Sequence, residues 1–242
     1  MKTINYQILQ LDKGERVLDL GCGEGRHVSS IAFDYNIESI GIDLSPDDIK
    51  KAKTKAQELS QVSTKPLQLL FLAGDGTQLP FSDNSFDRII CSEVLEHIPD
   101  YQQVLVEIQR ILKPKGLLAV SVPRYWPEKI CWWLSKDYPA PSSPGGHIRI
   151  FKANHLKKDI EQHGFKQYAY HWAHALHAPF WWLKCLFWES KDRSLLVRWY
   201  HKILVWDLVK KPKLTQGLEK LLNPVMGKSI VMYFTKGEQN SA

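Results

Sequence analysis

Nine consecutive residues, Val17-Leu18-Asp19-Leu20-Gly21-Cys22-Gly23-Glu24-Gly25, constrain the fold of this chain more than any other feature. A short apolar run gives way to three glycines, which take backbone angles closed to other residues, and a helical pattern begins at the last of them. Strand, glycine turn and helix in that order open an α/β fold, with helices covering a parallel sheet. The same rhythm continues through the first half. Strands are expected near Arg16-Leu20, Ser39-Ile42, Leu67-Leu72, Phe86-Cys91 and Gly116-Val122. One helix starts near Gly25; a second is capped by Ser45, carries Pro46 in its first turn and runs to about Ser60. A third spans roughly Tyr101 to Leu112 and stops at the break Lys113-Pro114-Lys115-Gly116.

Beyond Val122 the pattern changes. Pro123 to Gly146 is rich in proline and tryptophan, including Pro139, Pro141 and Pro144, and reads as a loop or lid. A helix from about Lys152 to His163 ends at Gly164. Phe165-Tyr170 and Ser229-Phe234 read as the last two strands, with residues 171–227 interrupting the sheet between them. A core over 1–170, a helical insertion or cap over 171–227 and a last strand with its tail over 228–242 are therefore expected. Charge and tryptophan divide the chain the same way. Residues 1–170 hold 21 basic and 21 acidic side chains, and 171–242 hold 11 and 5, so the formal charge of +6 is all C-terminal. The nine tryptophans all lie at or after Trp126, six of them between Trp172 and Trp206. Four dispersed cysteines with no CxxC pair predict neither a disulfide framework nor a zinc site, and a reducing, cytosolic compartment. The N-terminus has no apolar stretch of the signal-peptide kind.

Acidic residues recur where the strands end. Asp19 and Glu24 flank the glycine turn, Asp43 closes Gly41-Ile42-Asp43, and Asp75 lies in Ala73-Gly74-Asp75-Gly76. Ser92-Glu93-Val94-Leu95-Glu96-His97 follows the fourth strand. Open α/β sheets bind ligands at this edge. Arg26 stands where a dinucleotide fingerprint wants glycine, and carboxylates at the turn would repel a pyrophosphate. A ligand with a cationic head suits the turn better; Asp43 can accept hydrogen bonds from a ribose, and Asp75 one from an adenine amine.

Taken in order, DLGCGEG, GIDLS, GDGTQLPFSDNSFD, EVLEHI and RILKPKG resemble the class I S-adenosylmethionine-dependent methyltransferases, of the type that includes ubiquinone-pathway and related small-molecule enzymes. The likeness covers roughly residues 14–122 and, more loosely, 145–170. It implies a doubly wound, mostly parallel seven-stranded Rossmann-like sheet and S-adenosylmethionine as cofactor. It further implies that Asp19, Gly21, Cys22 and Gly23 hold the methionine end, Asp43 and Leu44 the ribose, Asp75 and Gly76 the adenine, and Ser92-Glu93 the far wall. His97, with Glu93 and Glu96 nearby, is the candidate base where the acceptor is a hydroxyl. Glu93-Val94-Leu95-Glu96-His97 also resembles a metal-binding motif of quinone-pathway O-methyltransferases, but no fourth ligand stands out and no metal is expected. His147 and Arg149 either border the acceptor site or serve the local structure. His171, His174 and His177 share no helix or strand face, and scattered aromatics are expected there instead of a metal cluster.

The insertion leaves several readings open. Leu176 to Trp188 is apolar but too short to span a bilayer. From Ser194 to Val209, Leu195, Trp206, Trp199, Ile203, Leu196 and Tyr200 form one arc, with Arg198, His201 and Lys202 opposite. This segment is either a cap lining an apolar acceptor pocket or a peripheral membrane contact. Nucleic-acid binding is not expected, because the charge excess is modest and no RNA module is present. Methyl transfer to a small hydrophobic acceptor, at oxygen, is the expected activity. An RNA or lipid-headgroup methyltransferase, or a non-catalytic cofactor-binding module, stays open beside it.

Overall fold

A computed structural model describes residues 3–139 and 146–238. Its elements run β1 (Arg16–Leu20), α1 (Arg26–Tyr35), β2 (Glu38–Asp43), α2 (Pro46–Val62), β3 (Leu69–Ala73), β4 (Phe86–Ser92), α3 (Tyr101–Ile111), β5 (Leu112–Pro123), α4 (Tyr125–Leu134), α5 (Ala153–Gln162), β6 (Phe165–Ala173), α6 (His177–Leu186), a 3-10 turn over Trp188–Ser190, α7 (Leu195–Lys210), α8 (Lys213–Met226) and β7 (Ser229–Lys236). All seven strands form one sheet in the order β3-β2-β1-β4-β5-β7-β6. β1 to β5 pair in parallel, and β7 lies antiparallel between β5 and β6. The order reverses direction between β1 and β4, so their C-terminal ends splay into a crevice, the general ligand site of open α/β sheets.

Two apolar layers cover the sheet. On one face α3 and α5 bury Leu105, Ile108, Leu156 and Ile160 against Leu18, Ile89, Leu118 and Phe234. On the other, the N-terminal segment lays Ile4, Tyr6 and Leu9 with Ile31 against Val17, Ile90, Ala119 and Tyr233. Local chemistry sets the helix starts: the Ser45 hydroxyl accepts the Asp48 N–H at 3.2 Å ahead of Pro46 at the first position of α2.

The stretch after Val122 differs from expectation. α4 forms where a loop or lid was expected, because Pro127 falls in the helix's first turn, where no intrahelical N–H is required, and Pro127, Glu128 and Cys131 bury one side. Pro141, Pro144 and Gly145 lie outside the described residues. β5 begins at Leu112, paired to Phe86, and the expected break shows inside it as a register shift: the next pair is Leu117 with Arg88, and Lys115 has φ 62°. β6 extends to Ala173 because its later residues keep pairing with β7 as far as Ser229.

Between β6 and β7 the chain is helical. α6 packs on α4: Cys185, Trp181 and Trp182 meet Cys131, Trp132 and Tyr138, and the Trp182 indole donates to the Pro127 carbonyl at 3.0 Å. α7 is anchored on a different side from the expected arc. Val197 and Leu204 are buried, whereas Leu195, Leu196, Trp199 and Trp206 are exposed. α8 buries no residue fully and turns Leu214, Leu218, Leu221 and Val225 to solvent. Among the described residues, no helix is long and apolar enough to cross a membrane.

Candidate functional site

The glycine turn after β1 is held in place by its neighbours. Gly21, Gly23 and Gly25 have φ of 71°, 51° and 79°, the left-handed region that favours glycine. A side chain on Gly21 would run into Val94, so the turn lies directly against the Glu93–His97 segment. The N–H groups of Gly21 and Cys22 donate to the Ile42 carbonyl at 2.8 and 3.1 Å. Asp43 completes the frame: one carboxylate oxygen accepts the Gly23 N–H at 2.8 Å, and the other accepts the Ser45 N–H at 2.9 Å. Each carboxylate oxygen can take a second donor, so ribose hydroxyls can join these bonds without displacing them.

Asp19 lies beneath the turn, 2% exposed, and its Oδ2 is buried without a hydrogen-bond partner among the described residues. Burial raises its pKa to about 7, with Asp43 adding to the rise and Arg26 opposing it. A buried carboxylate oxygen with nothing to accept from fits a cationic ligand such as the ammonium of S-adenosylmethionine. Leu44, 75% exposed, stands over the end of β2. Asp75 and Gly76 shape the turn after β3, where Asp75 accepts the Thr77 N–H at 2.8 Å and is exposed. Cys22 is buried, and burial raises its thiol pKa; it packs and is not poised as a nucleophile. Glu24 faces away from the crevice, paired with Lys55 and, at 3.5 Å, with Lys51 on α2.

The far side of the crevice is the segment after β4. Glu93 has φ 59°, unusual for a residue with a side chain. It is held by its N–H on the Ser121 carbonyl and by the Ser121 hydroxyl on Oε1, both at 2.9 Å. Glu96 is 1% exposed, its two carboxylate oxygens have no hydrogen-bond partner among the described residues, and burial, with Glu93 beside it, pushes its pKa well up. His97 Nδ1–H donates to the Gly146 carbonyl at 3.3 Å, which leaves Nε2 as the lone-pair nitrogen. Burial, followed by repulsion from His147, lowers the His97 pKa and favours the neutral, basic ring.

Structure adds partners that sequence spacing did not reveal. His147 lies edge-on to His97 with ring centroids 5.0 Å apart, and its Nδ1 bonds Glu128 Oε1 at 2.5 Å. Glu128, 1% exposed on α4, also accepts from the Trp132 indole and the Tyr138 hydroxyl. Burial opposes its charge, but the bond to His147 and the nearby Lys228 hold its carboxyl below the ordinary range. In the sequence Glu128 sits in a stretch that reads as a loop, and its one signal there is a lone carboxylate among aromatic residues. Arg149 serves the local structure, donating to the Pro99 carbonyl at 2.7 Å and lying over the Tyr101 ring. Glu96, His97 and His147 bring one ligand atom each within 4.8 Å of one another. His147 is the neighbour missing from the Glu-x-x-Glu-His motif, and the unpartnered oxygens of Glu96 fit a divalent cation.

The methyltransferase domain family matches residues 11–184. An O-methyltransferase from Aspergillus nomiae is 35% identical over 109 residues, 45% of this chain and 47% of that protein. A demethylmenaquinone methyltransferase from Listeria welshimeri is 34% identical over 115 residues, 47% of each. The chain thus spans about half the length of these curated relatives. Among solved structures, an S-adenosylmethionine-dependent methyltransferase from Methanosarcina mazei superposes with a TM-score of 0.64 at 15% identity, covering 99% of this chain and 100% of that one. A Haemonchus contortus N-methyltransferase holding S-adenosylhomocysteine gives 0.60 at 18% identity, covering 94% and 50%. At such identities the structures speak for the fold, and the family match, over more than half of the chain, speaks for descent. The glycine turn, the acidic strand ends and the strand order agree with both, and the chain belongs to the class I S-adenosylmethionine-dependent methyltransferases.

Proposed function

We propose that this protein transfers a methyl group from S-adenosylmethionine to a hydroxyl of a small, hydrophobic acceptor, and that it works in the cytoplasm on an anionic membrane surface. The observation that carries the chemistry is the segment Glu93 to His97, which lies against the glycine turn through Val94 and carries two carboxyl groups and an imidazole whose pKa burial lowers. The cofactor supplies an electrophilic methyl on a sulfonium. The chain has to hold it, align the acceptor and accept one proton. Asp19 would pair with the ammonium, the glycine turn would admit the methionine end, and Asp43 and Asp75 would take the ribose and adenine. His97 Nε2 takes the hydroxyl proton, and the Gly146 carbonyl on Nδ1–H steadies the imidazolium that results. A divalent cation is the alternative use of the same lone pair: Glu96, His97 and His147 would hold it, it would lower the pKa of the acceptor hydroxyl, and His97 would then be a ligand and not the base.

An apolar acceptor is supported by what adjoins the histidines. Tyr138 lies edge-on to His147 at 5.9 Å and touches Trp181 and Trp188 at 5.8 and 5.7 Å, so the polar floor runs into an aromatic wall. Transfer to oxygen is supported by the His97 geometry and by O-methyltransferases among the relatives. A membrane surface is supported by α7 and α8, where exposed Trp199, Trp206, Leu214 and Leu221 alternate with exposed Lys202, Lys210, Lys211, Lys213 and Lys220. Aromatic and basic side chains together match the charge and polarity of an anionic headgroup layer.

S-adenosylhomocysteine release is to be measured over a panel of phenols, quinols and amines, with wild type and His97→Gln. We expect turnover on hydroxyl acceptors and a fall in kcat of about 100-fold or more in the variant, the usual scale of general-base catalysis. The cofactor Kd should stay unchanged. An unchanged kcat, or turnover confined to amines, would overturn the assignment.

A further inference from the structure

A second cluster of histidines and carboxylate lies away from the crevice, where β6 ends. His174 follows β6, His177 opens α6, and Glu219 comes from the middle of α8, 42 residues further on. One ligand atom from each lies within 4.8 Å of the other two. His171, expected to scatter with these histidines, does so: it stacks on Tyr233 with centroids 5.7 Å apart. His174 and His177 instead come together, through a backbone that His174 holds at φ 68°. Such a conformation costs energy in a non-glycine residue and persists only where its surroundings impose it.

The polar atoms of the cluster are poorly satisfied by protein. His177 Nδ1 and Glu219 Oε1 are buried and have no hydrogen-bond partner among the described residues. His174 Nδ1 is 3.9 Å from Glu219 Oε1, too far for a hydrogen bond. The other ring nitrogen, Nε2, is 3.1 Å from the Thr3 hydroxyl. With Nε2–H donating to Thr3, Nδ1 carries a lone pair toward Glu219. A second-shell bond of that kind sets the tautomer of metal-binding histidines. Three donors of nitrogen and oxygen type, two of them with orphaned buried atoms, call for a partner that accepts lone pairs from all three.

We propose that His174, His177 and Glu219 form a structural site for a first-row divalent transition cation, with zinc as the natural fit to two imidazoles and one carboxylate. Donors around a tetrahedral zinc lie about 3.4 Å from one another, so these side chains close by roughly an ångström when it binds. Asp207 of α7 faces the cluster as a further carboxylate, and among the described residues Lys228 and Arg26 are cations whose charge acts on it. A cleft of ≈ 780 Å³, lined by Thr3, Asn5, His174, Asp207 and Glu219 among others, gives entry from solvent. Bound there, the ion ties α8 to the end of β6 and, through Thr3, to the N-terminal segment. It thereby braces an insertion whose last helix buries no residue fully. Glu96, His97 and His147 form a separate candidate site, so the two must be told apart by substitution.

The test uses the full chain, stripped with chelator and titrated with zinc chloride by calorimetry and by thermal unfolding, as wild type, Glu219→Gln, His177→Asn and His147→Ala. Wild type and His147→Ala should each take up zinc at the His174 cluster and gain Tm. Glu219→Gln and His177→Asn should weaken this binding by about 100-fold and lose the zinc-dependent gain. S-adenosylmethionine binding by wild type and all three variants verifies that they fold, and no step depends on methyl transfer. Binding that survives both cluster substitutions, or a wild type that takes up zinc only through His147, would overturn the proposal.

Discussion

The crevice edge and the helical insertion treat their side chains in opposite ways. At the crevice, polar groups are withdrawn from solvent and mostly committed: half-buried Asp43 holds two backbone N–H groups, buried Glu128 holds three side chains, and Asp19 and Glu96 keep interior oxygens with no partner among the described residues. In α7 and α8, apolar groups are exposed and uncommitted, with Leu195, Trp199, Leu214 and Leu221 each more than 60% exposed. Buried polar groups with nothing to bind, and exposed apolar groups with nothing to cover them, are complementary deficits. Each indicates a partner outside the chain. For the crevice the proposed partner is a small charged molecule, and for the insertion it is an anionic membrane surface.

The largest expected effect comes from the most committed residue. Asp43→Ala removes the acceptor for Gly23 and Ser45 together with the proposed ribose contacts. Hydrogen bonds to a charged group contribute about 1.5–3 kcal/mol each. The cofactor Kd measured by calorimetry should therefore rise at least about 100-fold, or about 2.7 kcal/mol. Urea unfolding should register a further loss of order 1–3 kcal/mol as the loop loses its anchor. Cofactor affinity within twofold of wild type would mean that the acidic edge is scaffolding, and the comparison would collapse.

The two regions also differed in how far the sequence disclosed them. β1 ended where Leu20 meets Gly21, and α2 began at Ser45 and Pro46, because caps and glycine turns are local chemistry carried by adjacent residues. The crevice inherits that legibility: Asp19 and Asp43 lie at the ends of β1 and β2, and Asp75 in the turn that follows β3. Glu128 and Glu219 were hidden, and His147 stood out without its partner, because the groups they meet are 19 and 42 or more residues away and come together only through helix packing. α4 itself was obscured by Pro127, which reads as a breaker unless its place in the first turn is known. In α7 the arc of large side chains was legible, yet the side that packs is marked by Val197 and Leu204, smaller residues that fit the available space. Periodicity identifies an apolar face; it does not say whether the chain or something else covers it.

A pH series sharpens the crevice half of the comparison. Below about pH 7 Asp19 is protonated in the empty site, and the neutral acid cannot pair with an ammonium. Cofactor affinity should rise about tenfold per pH unit between pH 5 and 6.5 and level off above 7. The same shift acts oppositely on the unliganded fold. The native state holds this proton up to about pH 7 and the unfolded chain releases it near 4, so this carboxyl's contribution to stability falls as pH rises from 4 to 7. Asp19→Asn should flatten both profiles and bind the cofactor weakly at every pH. A wild-type affinity independent of pH across this range would remove Asp19 from the cofactor site.

The smallest effect on stability belongs to the insertion, and its smallness is the point. Trp199 and Leu214 are 63% and 81% exposed, so Trp199→Ser with Leu214→Ser should change the unfolding free energy by less than about 0.5 kcal/mol, as surface substitutions do. The same pair should abolish flotation with vesicles containing anionic phosphatidylglycerol, since exposed Trp and Leu supply the apolar half of interfacial binding. Lys210→Glu with Lys213→Glu should reduce flotation and make the remainder less sensitive to salt, because those side chains supply the screened electrostatic half. A large loss of stability in the serine pair would mean that these side chains cover the protein itself. Flotation of wild type on neutral vesicles as readily as on anionic ones would remove the lysines from the contact. Absence of flotation on both would leave the exposed face to a protein partner and end the membrane proposal.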